Sequence, residues 1–452
     1  MDYYRITPMI VPADKVSEIR IEPLFDHAVF PADPQRIEIQ FFPWNGLLDD
    51  GRHISYDFLR FMPEELKIDW HFDGQAIVFR KLFPDEQEYN ILISIKDETG
   101  NVKKRCRFHL YSLKPDLYAL RPFRGTFHIH TTGSDGAEEC RYTAARYRQL
   151  GMDFCAITDH RNYAPSVTAM NFWKEFIPDY KLFPGEEVHP PANYVHVVNF
   201  GGKSSVNQLS WSDEEKYRRE VAGYLKNIST DLSPEDRFAA AATEWVFDRI
   251  RQAGGVAIFC HPYWFTEQYV LDSRLTDEIF RRNRFDAFEL LGGFHKHQTL
   301  SNNHQLIRYF EEQAKGNRFP VVGCSDSHCT DRFEVAENKV ASTNGPLAGW
   351  YSTLVFAKSD DFEDIADAIR CGRSAAVEKI EGETPKVWAS LRLAQYGSFL
   401  LRWYYPMHDV LCADEGALML RILYGDPNAA AALRSLHGSV ANYQKTAFAS
   451  GC

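Results

Sequence analysis

Residues 124–136 read RGTFHIHTTGSDG. The apolar run around Phe127–His130 predicts a strand, and strand alternation turns His128 and His130 toward one face. The residues that follow read as a loop, with Asp135 inside Ser134-Asp135-Gly136. A helix is predicted near Glu138–Leu150, stopped by Gly151. Strand, loop and helix in this order are the repeating unit of an α/β protein.

The same rhythm continues outward, and the polar residues keep falling at strand ends. Phe154–Thr158 predicts the next strand, which closes on Thr158-Asp159-His160. Glu186-Glu187 follows Pro184-Gly185, and His196 falls in the buried-strand candidate Tyr194–Phe200. His261 follows the strand Val256–Cys260, and Ser325-Asp326-Ser327-His328 follows Val321–Gly323. Ala287–Leu291, carrying Glu289, predicts one further strand. Helical stretches near Asp213–Ile228, Arg237–Ala253 and Asn302–Lys315 separate these strands. In a closed barrel the C-terminal ends of parallel strands meet on one rim, where side chains from separate strands build a site. Six histidines and three carboxylates gathered there suit zinc, manganese or iron, with no thiolate required. A lone histidine is more often a core or surface residue, and a lone HxH is weak evidence. The ordered set of HxH, SDG, TDH, HP and SDSH at strand ends is hard to assign to chance.

This set resembles the PHP family, named for its polymerase and histidinol-phosphatase members. The family motifs HxHTxxSDG, TDH, PGxE, a downstream His, HP and SDxH stand here as His128–Gly136, Thr158–His160, Pro184–Glu187, His196, His261-Pro262 and Ser325–His328. The resemblance spans roughly 124–377. It implies a distorted (β/α)7 barrel holding two or three divalent ions. By position, His128, His130, Glu187 and Asp326 would hold one ion. Glu187 would bridge to a second with His196 and His261, and Asp135, His160 and His328 would hold a third. The PGxE register selects Glu187 over Glu186. Asp135, where some members carry His, resembles the branch that hydrolyses small nucleotides and short oligonucleotides. Thr126 departs from the Asp common two residues before the first His. Arg161, after the TDH motif, departs from a small or acidic residue and could contact a substrate phosphate. Asp159 and Glu289 are expected to orient neighbouring groups rather than ligate.

The implied activity is hydrolysis of a phosphomonoester or short phosphodiester by hydroxide generated on the ions, with no side-chain nucleophile. Two other readings compete with it. One is an amidohydrolase-like metal hydrolase, disfavoured because no Lys stands at the Glu187 strand end. The other is a metal-stabilised binding protein acting through its N-terminal domain, where Trp44 or Trp70 could meet a sugar, although core packing is the plainer role for both.

The flanks differ from the middle. Residues 1–121 alternate apolar and polar in short runs such as Glu18–Glu22, Arg36–Phe42, Tyr89–Lys96 and Arg105–Leu113, with a turn at Asp97–Asn101. That spacing predicts a β-sandwich. Residues 122–377 would be the barrel domain. Residues 378–452 read as a helical extension: Val387, Leu391, Ala394, Leu400 and Trp403 approximate helical spacing, Pro406 interrupts, and Asp409 could cap a second helix.

The chain has 452 residues with 44% hydrophobic and 25% charged, ordinary for a globular protein. Lys and Arg number 51 against 62 Asp and Glu, a formal charge of −11, which argues against a long nucleic acid as partner and leaves a small phosphorylated molecule open. No apolar run suits a membrane span. The opening residues do not read as a secretory signal, and the nine cysteines form no disulfide framework, so a cytoplasmic setting is expected.

Overall fold

The computed structural model describes residues 3–55, 66–176, 179–266, 269–293, 296–330 and 347–449. They fall into two units. The first draws on Met1–Arg121, Phe399–Pro406 and Gly438–Cys452, and the second on Pro122–Ser398 and Met407–His437.

Among the described residues eight strands build the first unit: β1 (Tyr4–Thr7), β2 (Ile10–Pro12), β3 (Lys15–Pro23), β4 (Ile37–Pro43), β5 (His71–Asp73), β6 (Ala76–Phe83), β7 (Gln87–Lys96) and β8 (Val102–Leu113). They form two four-stranded sheets, ordered β1-β3-β6-β5 and β2-β8-β7-β4. Alternation explains why the sheets need each other. Ile19, Ile21, Ile77 and Phe79 of one and Ile39, Phe41, Ile91, Ile93 and Leu110 of the other close a single core. The β7–β8 turn folds as its sequence dictates: Asp97 Oδ1 accepts the Thr99 and Asn101 amides, each at 2.9 Å, and Gly100 takes a positive φ. Trp70 packs on the core, whereas Trp44 is 65% exposed and does not take the core role expected of it. From the later chain, Trp403 stacks on His109 at 3.7 Å and Arg402 pairs with Glu88 at 2.6 Å. A short helix, α1 (Pro115–Tyr118), ends the N-terminal part.

The second unit is mixed α/β. Its first half runs β9 (Arg121–Thr126), α2 (Cys140–Gln149), β10 (Phe154–Ala156), α3 (Ala164–Trp173), β11 (Lys181–Phe183), β12 (Gly185–Val188), β13 (Val197–Phe200), α4 (Val206–Ser212), α5 (Glu214–Ala222) and α6 (Pro234–Gln252). Then come β14 (Val256–Phe259), α7 (Ser273–Arg282), β15 (Ala287–Leu291), α8 (Lys296–Ala314), β16 (Val321–Gly323), β17 (Tyr351–Ala357), α9 (Phe362–Arg370), β18 (Ser374–Glu378) and β19 (Lys386–Trp388).

The expected closed barrel is not what these strands form. They make a six-stranded sheet, β11-β10-β9-β17-β18-β19, and a five-stranded sheet, β12-β13-β14-β15-β16, neither of them closed. Nor are the strands all parallel. β13 runs antiparallel to both β12 and β14. Only residues 189–196 separate β12 from β13, too few for the dozen or so that a parallel crossover needs, so the chain turns straight back. Phe154 and Val355 from the six-stranded sheet, Phe127 just after β9, and Val198, Ile258, Ala287 and Val322 from the five-stranded sheet fill a common core.

The tail also departs from expectation. Val387 lies in the edge strand β19, paired with β18, and the helical run starts only at Leu391. Pro406 does not break it: α10 (Leu391–Phe399) passes through a wider π-helical turn, Leu400–Tyr404, into α11 (Tyr405–Leu423). The proline follows directly on that wider turn, where the regular i to i−4 ladder is already interrupted. Asp409 is therefore inside a helix rather than capping one, and pairs with Arg124 and Lys379, each at 2.7 Å. Two short helices, α12 (Ala429–Ser435) and α13 (Ser439–Ala447), complete the chain. Among the described residues no helix is long and apolar enough to cross a membrane.

Candidate metal centre

Nine side chains singled out in the sequence meet at one edge of the two sheets of the second unit. His128 and His130 follow β9, His160 follows β10, and Asp326 and His328 follow β16. Backbone bridges tie these loops together across the sheets, Ile129 with Ser327 and His160 with Glu187. His196 departs from the expected placement at or near strand C-terminal ends, because β13 starts after it, at Val197. Since β13 runs antiparallel to its neighbours, its N-terminal end lies beside Val188 and Phe259, and His196 arrives at the same edge as Glu187 and His261.

Glu187 is the hub. Its Oε1 lies 2.8 Å from His196 Nδ1 and 3.7 Å from His261 Nε2. Its Oε2 lies 2.6 Å from His160 Nδ1, 3.4 Å from His130 Nε2 and 3.5 Å from His128 Nε2. Asp326 Oδ1 stands 2.9 Å from His130 Nε2 and 3.2 Å from His128 Nε2, and its Oδ2 lies 3.8 Å from His261. Asp135 faces His328 at 3.4 Å, His160 at 3.6 Å and His130 at 3.8 Å. Three overlapping groups of donor atoms result: His128, His130 and Asp326; His128, Glu187 and His261; and His130, Asp135, His160 and His328.

The donor set fits divalent cations. Both Glu187 carboxylate oxygens, His128 Nε2 and His196 Nδ1 are buried yet make no hydrogen bond. They stand at hydrogen-bonding distances from one another without hydrogen-bond alignment, as lone pairs do when they converge on a shared centre. Leaving so many buried polar atoms unsatisfied is costly unless an ion takes them up.

In the metal-free protein the cluster divides its protons unevenly. Burial opposes ionisation of Glu187 and Asp326, but the surrounding imidazoles, His160 for Glu187 and His128 for Asp326, hold both carboxyls well below their ordinary range. Burial also opposes a charge on His160, yet Glu187 raises its pKa to about 9. Burial, helped by the like charges of His328 and His160, pushes His130 down to about 3.

The supporting shell holds these donors in place. Glu289 Oε1 meets His128 Nδ1 at 2.8 Å, and its Oε2 accepts the His261 amide at 3.2 Å. Asp159 binds no donor of the cluster. It accepts the Thr131 amide at 2.7 Å, the Thr131 hydroxyl at 2.6 Å and the Ser134 hydroxyl at 2.7 Å, which fixes the loop between His130 and Asp135. Gly133 is needed there, since a Cβ would lie 2.8 Å from Asp159 Oδ2. Glu186 points the other way, to Ser205 Oγ at 2.7 Å and Asn207 Nδ2 at 3.0 Å. Cys260 and Cys324 are buried thiols whose pKa burial raises, not metal-ready thiolates. Three residues of the site, Arg161, His261 and Asp326, adopt positive φ without being glycine, as do Asp14, Asp85, Ala192 and Asn283 elsewhere.

Two neighbours were not anticipated from the sequence. His189 Nε2 lies 2.8 Å from His160 Nδ1 and 3.6 Å from Glu187. Only its place two residues after Glu187, just past the end of β12, could have signalled it. Tyr269 packs its ring 4.5 Å from that of His196, with its hydroxyl buried and making no hydrogen bond; no local pattern marks it. A cavity of about 510 Å³ opens onto the cluster, lined by Ser134, Asp135, His160, Arg161, His189 and His196.

No family model matches the chain, and no curated protein matches it. Solved structures resemble it in part. A two-domain protein of Bacteroides vulgatus, containing a predicted PHP-like metal-dependent phosphoesterase, is 16% identical over 60% of this chain and 75% of its own, with a TM-score of 0.36. A provisionally assigned metal-dependent phosphoesterase of Bifidobacterium adolescentis is 19% identical over 48% of this chain and 92% of its own, with a TM-score of 0.32. An amidohydrolase of Chromobacterium violaceum is 17% identical over 44% and 84%, with a TM-score of 0.29.

Proposed function

We propose that the chain is a metal-dependent phosphoesterase that hydrolyses a small phosphomonoester or short phosphodiester. The observation that carries this reading is the convergence of six imidazoles and three carboxylates, with several buried donor atoms lacking hydrogen bonds, beside an open cavity. His128, His130, Asp135, His160, Glu187, His196, His261, Asp326 and His328 hold two or three divalent ions in this proposal. Bound divalent ions supply Lewis acidity toward phosphoryl oxygens and lower the pKa of water.

The chain's own residues do the rest. Glu187 and Asp326 keep their negative charge at neutral pH because imidazoles surround them, so they compensate cations without first losing protons. Glu289 fixes the ring of His128 through Nδ1, leaving Nε2 as the ligating atom. His328 Nδ1 bonds the Asp326 carbonyl at 3.0 Å, which fixes that ring in the same way. Water adds to phosphorus, the ester P–O bond breaks, and the alcohol leaves with a proton. No side-chain nucleophile is required.

His128→Ala removes a donor shared between two groups, and Asp326→Ala removes the one carboxylate of the group it forms with His128 and His130. Each variant should lower metal-stimulated hydrolysis of 4-nitrophenyl phosphate by at least about a thousandfold, and its metal content by elemental analysis should fall as well. Hydrolysis at wild-type rate by both variants would sink the proposal. Amide hydrolysis without phosphate hydrolysis would move the chain to the amidohydrolase reading.

A further inference from the structure

A second, larger groove of about 690 Å³ adjoins the metal cavity. It lies beside α3 and α4, with Tyr163, Val167, Thr168, Gln208 and Trp211 in its walls. Arg161 lines both spaces. Its backbone is held in the left-handed region at φ 53°, and its amide donates to the Glu187 carbonyl at 3.1 Å, so the residue starts from a fixed point on the metal site. From there the guanidinium lies over Trp211, 5.5 Å from the ring centroid. Trp211 is itself anchored: its indole N–H donates to the carbonyl of His189 at 2.9 Å, while about half of its surface stays exposed.

The charge of Arg161 is conspicuous. In a chain with 62 carboxylate residues and 51 Lys and Arg, its guanidinium makes no ion pair and no side-chain hydrogen bond among the described residues. Arg keeps its charge at any physiological pH, and its planar fork suits carboxylate and phosphate oxygens. The ligand cluster already offers the reacting phosphoryl group its partners, and the guanidinium lies across Trp211, in the wall of the neighbouring groove.

We propose that this groove is a leaving-group subsite, and that the preferred substrate is a phosphoester whose alcohol has a flat or apolar body and a second anionic group, bound by Arg161 against Trp211. The body would lie along Tyr163, Val167 and the exposed indole. A carboxylate and a second phosphate present the same chemistry to Arg161. The inference rests on the phosphoesterase reading, and its test separates the two.

The metal-loaded full chain is assayed on 4-carboxyphenyl phosphate and on its neutral counterpart, 4-carbamoylphenyl phosphate, with 1,4-phenylene bisphosphate as the phosphate arm. The anionic compounds should exceed the neutral one in kcat/KM by about tenfold, the scale of one charge-assisted hydrogen bond. In Arg161→Gln that ratio should collapse toward one, and Arg161→Lys should restore part of it. A ratio near one in the wild type, or a ratio unmoved in Arg161→Gln, overturns the subsite. Preference for one anionic arm identifies which group the alcohol carries.

A binding arm covers the case in which none of the compounds is hydrolysed. Binding of 4-carboxyphenylphosphonate should quench tryptophan fluorescence in the wild type, should not do so in Trp211→Phe, and should weaken about tenfold in Arg161→Gln. Binding with that dependence and no turnover would sustain the subsite while sinking the hydrolase. Binding indifferent to both substitutions would sink the subsite.

Discussion

At the scale of single residues, the candidate centre depends on groups outside its nine proposed donors. Glu289 holds His128 by its ring and His261 by its backbone, so one carboxylate sets two of the donors. Glu289→Gln keeps the shape but weakens both hydrogen bonds. It should lower metal affinity or activity about 10–100-fold with little loss of melting temperature, checked by metal titration beside a thermal scan. Gly136 makes a different demand. A Cβ there would run into the backbone of His130 and Thr131. Backbone cannot step aside as a flexible side chain can, so Gly136→Ala should destabilise the protein by roughly 1–3 kcal/mol and displace Asp135. A variant that melts normally and keeps full metal content would contradict this account of the loop.

At the scale of elements, what could be read in advance follows from range. His128-Ile129-His130 could be placed on one face because alternation is local, and strands of the first unit could be placed because Ile19 and Ile21, or Ile93 and Ile95, alternate with polar residues. The direction of β13 could not, because it depends on how β12 and β14 pair, and its reversal is what brings His196 in ahead of its strand. His189 and Tyr269 were missed for a related reason: their proximity to the cluster is tertiary. The tail misled because Val387 fits helical spacing and strand alternation alike, and the β18 edge decided between them. Helix α2 meets α11 through one buried contact that carries a testable consequence. Arg148 is fully buried, with its guanidinium 2.6 Å from Glu415 and a further bond to the Met152 carbonyl at 2.9 Å. Glu415→Ala leaves that charge only the longer pairing with Asp153 at 3.7 Å and should cost about 3 kcal/mol, read as a loss in unfolding free energy. Replacing Arg148 with Met as well should recover much of it, which separates a stranded charge from a lost cavity wall.

At the scale of the whole molecule, a net charge of −11 is compatible with binding anions because charge is local, and the groups that matter are few and buried. The same locality shapes stability against pH. Away from the candidate metal centre, His408 Nε2 meets Asp153 Oδ1 at 2.7 Å in a buried pair, with Asp409, Cys412 and Arg148 around it. Burial opposes charging His408, yet Asp153 outweighs it and holds the imidazole well above its ordinary value of 6.5. Burial likewise opposes ionising Asp153, but His408 and Arg148 hold its pKa below the ordinary 3.8. A raised histidine stabilises the fold fully below its unfolded pKa, and that contribution drains away as pH climbs through the folded one. A lowered aspartate stabilises above its unfolded pKa and loses its contribution as pH falls through the folded one. The pair should therefore contribute most between about pH 4 and 6.5. His408→Gln keeps polarity without the charge, and chelated protein removes any contribution from metal. In melts from about pH 5 to 9, the variant should trail the wild type by several degrees at the acidic end, at about 2–4 °C per kcal/mol. The gap should narrow steadily above about pH 6.5, and a gap that stays constant or widens with pH would mean that His408 is held neutral in the folded protein.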